Sequence, residues 1–521
     1  MKGKQRRSAL ALSFALLVAL PGCDDGFLDT VPPDQLSDAV FWKQEKDAVL
    51  AVNAIYPLLS GWDYLYFDAA TDNAWAQKSF SDWYHIGNGT ADASNGTVAN
   101  IWYNAYRAIR RANEVLANID KIEKINPDLK ERLRAEALFH RAYHYTMLAN
   151  LYGDVPLILQ PISIADAVKV TRTPRAQVIN QVLKDLDQAA PALPTAYGSA
   201  DLGRATRGAA LALKARAALW ESRWDVAAEA AKAVMDLGVY SLHPNYADLF
   251  RYAGEDSPEI IYADRRLKGQ RSHSAFSTFG PRSLQGGSDV VPLRSLVDAY
   301  YMTDGLPITE SPLYDPANPY ANRDPRMYGT LLYPGAVFAG QVYNSLPDSP
   351  TPDRVGNDFN ATQTGYQFIK YVDPADRNEP NNSGIDLIVM RYAEVLLTYV
   401  EAKLELNQVD ASVLEAFNAV RRRAGMPEVA TAAELTRDLV RNERRVEFAG
   451  EGLRLFDIRR WRIAEQVMPG QSYGIDYVDE DGNVQKIPAA NRRFTVPRDY
   501  LWPIPLKELD LNPGLGQNPG Y

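Results

Sequence analysis

The sequence predicts a mainly α-helical protein: a tetratricopeptide-like helical repeat scaffold of about four helix pairs with long loop-rich insertions. Two observations support this fold class. Several stretches of the 521-residue chain place small and apolar residues three or four positions apart, which is the spacing of one buried helix face. Two other stretches lose that spacing and are rich in Pro, Gly, Asn, Asp and Tyr, which is typical of loops.

Residues 1–22 are predicted to be a signal peptide that ends at the single cysteine of the chain, Cys23. Residues 2–7 are basic, and residues 9–20 are an apolar run, too short for the ~20 residues that a membrane-spanning helix needs. The small residue Gly22 follows and precedes the cysteine. The pattern resembles a bacterial lipoprotein signal, in which the cysteine is acylated and anchors the mature chain. The alternative is an ordinary cleaved signal and a free cysteine.

The mature chain, 23–521, is predicted to be one domain, and its first loop-rich insertion is expected at about 60–100. The first helix pair is predicted at about 127–190. Asn126 can cap the first helix and Pro127 suits its first position. Residues that share one face of this helix are Ala135, Leu138, Ala142, Tyr145, Ala149 and Tyr152.

The second helix pair, 205–238, has the clearest pattern. Thr206 can cap its first helix, and the turn near 222–224 is so short that the two helices should be antiparallel neighbours. Alanines allow close helix contact at Ala209, Ala217, Ala227 and Ala231. The length of the pair is close to that of a tetratricopeptide unit, about 34 residues.

A second insertion is expected at about 240–385, followed by helix pairs at about 386–424 and 432–466. Helical periodicity fades through 240–385, where turn-forming residues are dense. Loops this long are uncommon inside a compact chain unless they bind something. The sequence therefore predicts a helical scaffold that presents two elaborate loop regions.

Charge excludes one class of partner. The formal net charge is −9, and it becomes more negative once the basic residues of the signal segment are removed. An acidic surface repels phosphate backbones, so nucleic-acid binding is not expected. A single cysteine also excludes an internal disulfide framework.

Three motifs that suggest chemistry are interpreted structurally. Residues 441–461 are dense in Arg and Glu, and Glu443 and Glu447 share a helix face with arginines nearby, which predicts an ion-pair network rather than an acid–base site. His140 and His144 are four residues apart, but no third metal ligand is evident, so packed histidines and no metal or cofactor are expected. Residues 478–486 predict an Asp-Gly or Gly-Asn turn between two short strands.

Five separated segments resemble, in family order, motifs of the SusD/RagB family of outer-membrane nutrient-binding lipoproteins. They are GFLDTVPPDQLSDAVFW at 26–42, AEALFHRAYHYTMLANLYGDVPLI at 135–158, RYAEVLLTYVEAKLELN at 391–407, RNERRVEFAGEGLRLFDIRRW at 441–461 and LWPIPLKELDLNPGLGQNPGY at 501–521. The resemblance implies four tetratricopeptide-like helix pairs and a structural role for the 441–461 block. It also implies a surface lipoprotein that captures an oligosaccharide, or in some members a peptide, and closes over a SusC-like TonB-dependent transporter.

The two insertions are where binding is expected. Sugar rings stack their C–H faces on aromatic rings, and their hydroxyls need polar partners. The residues predicted to bind ligand on this basis are Trp83, Tyr84, Trp75, Asn73, Asp72, Phe279 and Arg282. Asp72 and Asn73 also have a structural interpretation, since their T-D-x motif resembles a structural motif of the family.

The predicted function is that of a cell-surface, lipid-anchored glycan-binding protein of the outer membrane that delivers oligosaccharide to a SusC-like TonB-dependent transporter and is not an enzyme. A peptide-binding or purely protein-binding helical-repeat scaffold is the alternative. A glycoside hydrolase would need two carboxylates about 5–10 Å apart, for which the first insertion offers Asp68, Asp72 and Asp82.

Overall fold

The computed structural model describes residues 41–59 and 61–521, so the predicted signal segment 1–22 and Cys23 lie outside the described residues. The helices are α1 Glu45–Asn53, α2 Gly61–Phe67, α3 Asp82–Gly87, α4 Gly96–Asn118, α5 Pro127–Tyr152, α6 Ile164–Ala167, α7 Arg175–Ala192, α8 Arg207–Trp220, α9 Trp224–Asp236, α10 Ala275–Phe279, α11 Arg294–Ala299, α12 Pro325–Thr330, α13 Tyr392–Glu405, α14 Ala411–Ala424, α15 Arg437–Glu447, α16 Arg454–Arg460, α17 Ala464–Val467 and α18 Leu506–Leu511. The strands are β1 Ala74–Ala76, β2 Ile260–Asp264, β3 Val290–Pro292, β4 Leu331–Leu332, β5 Val337–Phe338, β6 Gln341–Val342, β7 Gln367–Phe368, β8 Leu387–Arg391, β9 Gly470–Val478 and β10 Val484–Arg492.

The long helices form a repeat scaffold, which confirms the predicted fold class. Each helix packs on the next in the order α4, α5, α7, α8, α9, α13, α14, so contacts run between neighbours along the array. Alanines at the α8–α9 contact, among them Ala209 and Ala227, are fully buried and let the two helices approach closely. Within residues 41–59 and 61–521, no helix is long and apolar enough to cross a bilayer.

Local signals fix where the scaffold helices begin and end. The side chain of Asn126 accepts hydrogen bonds from the backbone N–H groups of Asp128 and Leu129, and that of Thr206 accepts one from Ala209. These bonds satisfy donors that a helix start leaves without partners. Gly425 ends α14 with a φ of +73°, in the left-handed region that glycine adopts without strain.

The third helix pair differs from the prediction at its start. Residues 387–391, which were expected to begin a helix, form strand β8, which pairs antiparallel with β2, and the helix begins at Tyr392. The backbone N–H of Tyr392 donates to the carbonyl of Glu259, which fixes this change from strand to helix. A short apolar run such as LIVM does not by itself distinguish a buried strand from a buried helix.

The fourth predicted pair is made of short helices, α15, α16 and α17, and its charged residues form the ion-pair network expected of 441–461. Arg444 and Arg460 both reach Glu401 and Asp457, at distances of 2.6–3.3 Å. Glu443 and Glu447 bind Arg326 at 2.5 and 2.8 Å. The structural interpretation of this block is confirmed.

Residues 478–486 form the predicted turn, and the two strands around it are long. Strands β9 and β10 pair antiparallel, with Val478 opposite Val484. Gly482 has a φ of +86°, which favours glycine at this position. Asp479 accepts hydrogen bonds from the backbone N–H groups of Asp481 and Asn483, so its carboxylate is used within the turn.

His140 and His144 are fully buried in α5 rather than exposed. Burial lowers the pKa of His144 to about 3, and it lowers the pKa of His140 well below its usual range, with a further lowering by His144. Both ring nitrogens of His140 and the Nε2 of His144 lack hydrogen-bond partners among the described residues. Both side chains are therefore neutral packing groups at neutral pH.

We expect His144 to lower the stability of the protein as the pH drops below about 6.5. The unfolded chain binds a proton near the ordinary histidine pKa of about 6.5, whereas the folded chain does not, so acid favours unfolding. At pH 5 this term is about 2 kcal/mol. The variant His144→Phe should lose less free energy of unfolding between pH 7 and pH 5 than the native chain in urea titrations. Parallel pH dependences of the two proteins would contradict the assignment.

Candidate functional site

The predicted ligand-binding aromatic Trp83 lies in the core. It is 6% exposed, and its ring stacks on Tyr66 with a centroid distance of 5.8 Å and contacts Phe67 and Trp502 edge to face. The N–H groups at the start of its helix are capped by Ser81. A ring packed on these sides has no face free for a sugar in this conformation.

Trp75 and Tyr84 form a second packed group. Trp75 lies in β1 opposite Val291 of β3, and it packs with Leu293 and Ala490. Tyr84 is half-buried against it, with ring centroids 6.2 Å apart. The β1–β3 pairing joins the two predicted insertions, so these residues position the loops that follow β1.

Asp72 and Asn73 are held by arginines of the scaffold. Asp72 makes a two-point contact with Arg454 at 2.8 Å and an ion pair with Arg445 at 2.9 Å. Burial alone would raise the pKa of Asp72, but Arg445 and Arg454 outweigh burial and hold that pKa well below its usual range. Asn73 is fully buried and accepts a hydrogen bond from Arg445 at 2.8 Å. These contacts match the structural interpretation of the T-D-x motif.

Phe279 and Arg282 have different surroundings. Phe279 is 3% exposed and packs against Trp62 and Tyr66. Arg282 is half-exposed, and its Nε lies 2.9 Å from the Oδ2 of Asp358. Arg282 is one of the seven residues predicted to bind ligand, and its partner Asp358 precedes the exposed ring of Phe359.

Two exposed phenylalanines from distant parts of the chain stack on each other. Phe80 is 73% exposed and Phe359 is 57% exposed, their ring centroids are 5.6 Å apart and their planes differ by 23°. Water-exposed aromatic rings that pair across two loops mark a binding surface more often than a packing defect. We call this pair, Phe80 and Phe359, the aromatic platform.

Polar groups surround the aromatic platform. The ammonium of Lys78 lies 4.8 Å from the centre of the Phe359 ring, donates to the Oδ1 of Asn360 at 2.8 Å and pairs with Asp289 at 2.8 Å. Asp358, which forms an ion pair with Arg282, is the residue that precedes Phe359. Carboxylate, amide and cationic groups thus lie beside the apolar rings of the platform. Sites for polar, ring-shaped ligands combine groups of these kinds.

Hydrogen bonds between three loops hold the platform in place. Gln77 donates to the carbonyl of Ala361 and accepts from the N–H of Gln363, both at 2.8 Å. The N–H of Ser283 donates to Asp353 at 2.8 Å. A Cβ at Gly287 would lie 3.0 Å from the carbonyl oxygen of Ser277 and 3.2 Å from the Oδ1 of Asp289, so a larger residue would crowd both groups.

Sequence reasoning missed the platform because Phe80 and Phe359 lie outside any motif. Phe80 is in the predicted first insertion and Phe359 is in the second, and only the fold brings them together. A weak signal existed: each phenylalanine is flanked by turn-forming polar residues, KSFSD at 78–82 and NDFNA at 357–361, which disfavours burial.

The carboxylates of the hydrolase alternative have structural partners. Asp68 accepts the N–H of Gly450 at 2.6 Å, and burial raises its pKa to about 6. Asp82 accepts the N–H of Thr97 at 2.8 Å in the first turn of α4. Together with the arginine-bound Asp72, none of the three is presented to the platform as a free acid or base.

Comparison with known proteins places the chain in a family. A family model described as "SusD family" matches residues 255–521, which is more than half of the chain. The chain belongs to the SusD family. A second model, described as "Starch-binding associating with outer membrane", matches residues 26–219.

Individual relatives of this SusD-family chain cover nearly its whole length. It is 27% identical to the SusD-like protein P25 of Formosa agariphila, over 97% of this chain and 98% of that one. Among solved structures, a SusD-like carbohydrate binding protein from Bacteroides fragilis shares 31% identity with a TM-score of 0.85, covering 91% of this chain and all of that chain. Another SusD-like protein from the same organism shares 28% identity with a TM-score of 0.82, over 94% of this chain and all of that chain.

The role of Asp72 can be tested by stability. The variant Asp72→Asn leaves Arg445 and Arg454 buried without their carboxylate, which should lower the free energy of unfolding by about 3–5 kcal/mol. Urea denaturation measures this loss. The exposed Asp187, paired with Lys214 at 2.6 Å, offers a matched control, and Asp187→Asn should change stability by less than about 1 kcal/mol. Equal effects of the two substitutions would contradict the structural role of Asp72.

Proposed function

We propose that this protein is a glycan-binding lipoprotein of the cell surface, and that it captures an oligosaccharide on the aromatic platform. The observation that carries the proposal is the stacked and exposed pair Phe80–Phe359, with charged and amide groups around it. The protein acts by binding and has no catalytic step of its own.

The chemistry of the platform suits a sugar chain. The C–H face of a pyranose ring is apolar and covers an aromatic ring, while the hydroxyls at its edge need hydrogen-bond partners. Asn360 and the Arg282–Asp358 pair supply polar groups for such hydroxyls next to Phe359 in the chain. Phe80, which is 73% exposed, offers the ring on which a sugar unit would stack, and Phe359 supports it from the other insertion.

Family membership supports the same proposal. The family model that matches residues 26–219 carries a starch-binding description, and the B. fragilis protein with 31% identity is described as carbohydrate binding. The first description belongs to the family model and the second to the B. fragilis protein. They make a soluble or surface-bound glycan the ligand class to test first on this chain.

Delivery and anchoring complete the proposal. Acylation of Cys23 would hold the protein at the outer membrane, and a SusC-like TonB-dependent transporter would receive the oligosaccharide. The description of outer-membrane association on the N-terminal family model supports the location. The hydrogen bonds that hold the platform loops support a site that is formed before the transporter is engaged.

Affinity electrophoresis of residues 24–521 in gels that contain different polysaccharides tests the binding proposal. We expect one glycan to retard the native protein and the double variant Phe80→Ala/Phe359→Ala to lose that retardation. A fully covered phenylalanine contributes about 1.5–3 kcal/mol, so removal of two rings should weaken binding tenfold or more.

A matched control removes two exposed aromatic rings elsewhere. Tyr103 and Tyr473 are 57% and 39% exposed, and the variant Tyr103→Ala/Tyr473→Ala should migrate like the native protein. Retardation that survives in the platform variant would move the site away from Phe80 and Phe359. An absence of retardation with every polysaccharide would contradict the glycan proposal and favour a peptide ligand.

The anchor is tested by the variant Cys23→Ser in cells. We expect the native protein to incorporate labelled palmitate and to partition into the detergent phase, because several acyl chains hold firmly to a membrane. The variant should lose the label and leave the membrane fraction. Membrane association that is unchanged in the variant would contradict lipidation at Cys23.

A further inference from the structure

A second concave site lies on the scaffold, away from the aromatic platform. A cavity of about 600 Å³ opens where the C-terminal end of α5, the start of α7, the end of α8 and helix α16 meet the chain segment 497–519. It shares no lining residue with the platform loops 77–82, 282–289 and 353–363. Its volume falls in the usual range for small-molecule sites, about 300–1,000 Å³.

The cavity is strongly cationic in an otherwise acidic protein. Its charged lining residues are two acids, Asp154 and Glu221, and six arginines, which are Arg172, Arg175, Arg459, Arg460, Arg462 and Arg498. Three of these arginines bind carboxylates of the protein: Arg175 binds Glu221 at 2.5 Å, Arg460 binds Glu401 at 2.6 Å, and Arg498 lies 3.5 Å from Asp499.

The other three, Arg172, Arg459 and Arg462, form no ion pair within the described residues. Arg172 donates a 3.4 Å hydrogen bond to the carbonyl of Gly516. Arg462 lies over the ring of Tyr500, with its guanidinium carbon 4.4 Å from the ring centre. Their planar guanidinium groups therefore keep donors available for a ligand.

Arg459 carries the strongest sign of a missing partner. One nitrogen donates to the carbonyl of Asp499 at 3.3 Å, but Nε and Nη1 are buried and have no acceptor among the described residues. Burial lowers the pKa of Arg459 to about 10, against the opposing effects of Tyr521 and Asp499, and Arg175 lowers it further. A buried cation without a carboxylate partner is unfavourable, and an anion in the cavity that Arg459 lines would stabilise its charge.

Apolar groups complete the cavity wall. Trp220 and Phe456 stack with centroids 4.1 Å apart, and Tyr500 and Leu501 face the same space. The space exceeds what a bare inorganic ion would fill. A ligand that uses the whole cavity therefore has an anionic head and an organic body.

We propose that this cavity is a binding site for a small organic oxyanion. A carboxylate, sulfate or phosphate group would accept hydrogen bonds from Arg172, Arg459 and Arg462. Guanidinium groups recognise such oxyanions through paired N–H donors. The organic body of the ligand would lie against Tyr500 and Leu501. The site is distinct from the glycan platform and does not depend on it.

Isothermal titration of residues 24–521 with sodium sulfate and with sodium D-galacturonate, at ionic strength kept constant with sodium chloride, tests the proposal. D-Galactose is the neutral match for galacturonate. We expect saturable binding of both anions and none of galactose. The surface variant Arg172→Gln/Arg462→Gln and the single variant Arg459→Gln should each bind tenfold or more weakly, because charged hydrogen bonds are lost.

Two controls make the result specific to the cavity. The variant Arg107→Gln/Arg110→Gln removes two exposed arginines of α4 and should bind the anions like the native protein. The platform variant Phe80→Ala/Phe359→Ala should also keep anion binding, which separates this site from the proposed glycan site. No saturable anion binding, or affinity unchanged by the cavity substitutions in folded protein, would overturn the proposal.

Discussion

The buried carboxylate of Glu447 is the contact on which the architecture depends. Arg326 of α12, Arg391 of β8 and Arg423 of α14 all bind it, the first two at 2.8 and 2.7 Å. Burial would raise the pKa of Glu447, but the three arginines outweigh burial and lower it well below its usual range. One ionised group thus fixes scaffold helix α14, strand β8 and helix α12 of the second insertion around α15.

Neighbouring ion pairs extend this network toward the aromatic platform. Arg445 and Arg454, from α15 and α16, hold Asp72 just before β1. Arg492 at the end of β10 donates to the carbonyls of Thr71 and Ala74 at 2.5 and 2.6 Å. Strand β1, which leads into the platform loop, is therefore fixed by arginines. A shift of this strand would leave a buried guanidinium group without its acceptors, which is unfavourable.

The sequence predicts the scaffold well because helix signals are local. Periodicity, caps and short turns all lie within one helix pair, as at 205–238, where α8 and α9 begin and end close to the expected residues. Strand β8 was mistaken for helix because its partner β2 is more than a hundred residues away, and periodicity cannot detect a partner.

The site was harder to predict, because composition does not separate packed rings from exposed ones. Trp83 and Phe80 lie three residues apart in one loop region, yet the first is in the core and the second in water. Helix α3 turns Trp83 toward Tyr66, whereas Phe80 precedes the helix and meets a ring from the other insertion. Arg282 was chosen as a polar partner for sugar hydroxyls, and it lies at the surface beside Asp358, the residue before Phe359.

The contacts of Arg492 with the backbone before β1 have a consequence for the order of synthesis. Phe80 is synthesised early and Phe359 much later. Arg492, which holds the backbone at the start of β1, is synthesised later still. A nascent or C-terminally shortened chain therefore carries both rings without the surface they form. The surface formed by Phe80 and Phe359 is therefore completed only after Arg492 has been synthesised and has reached the backbone at the start of β1.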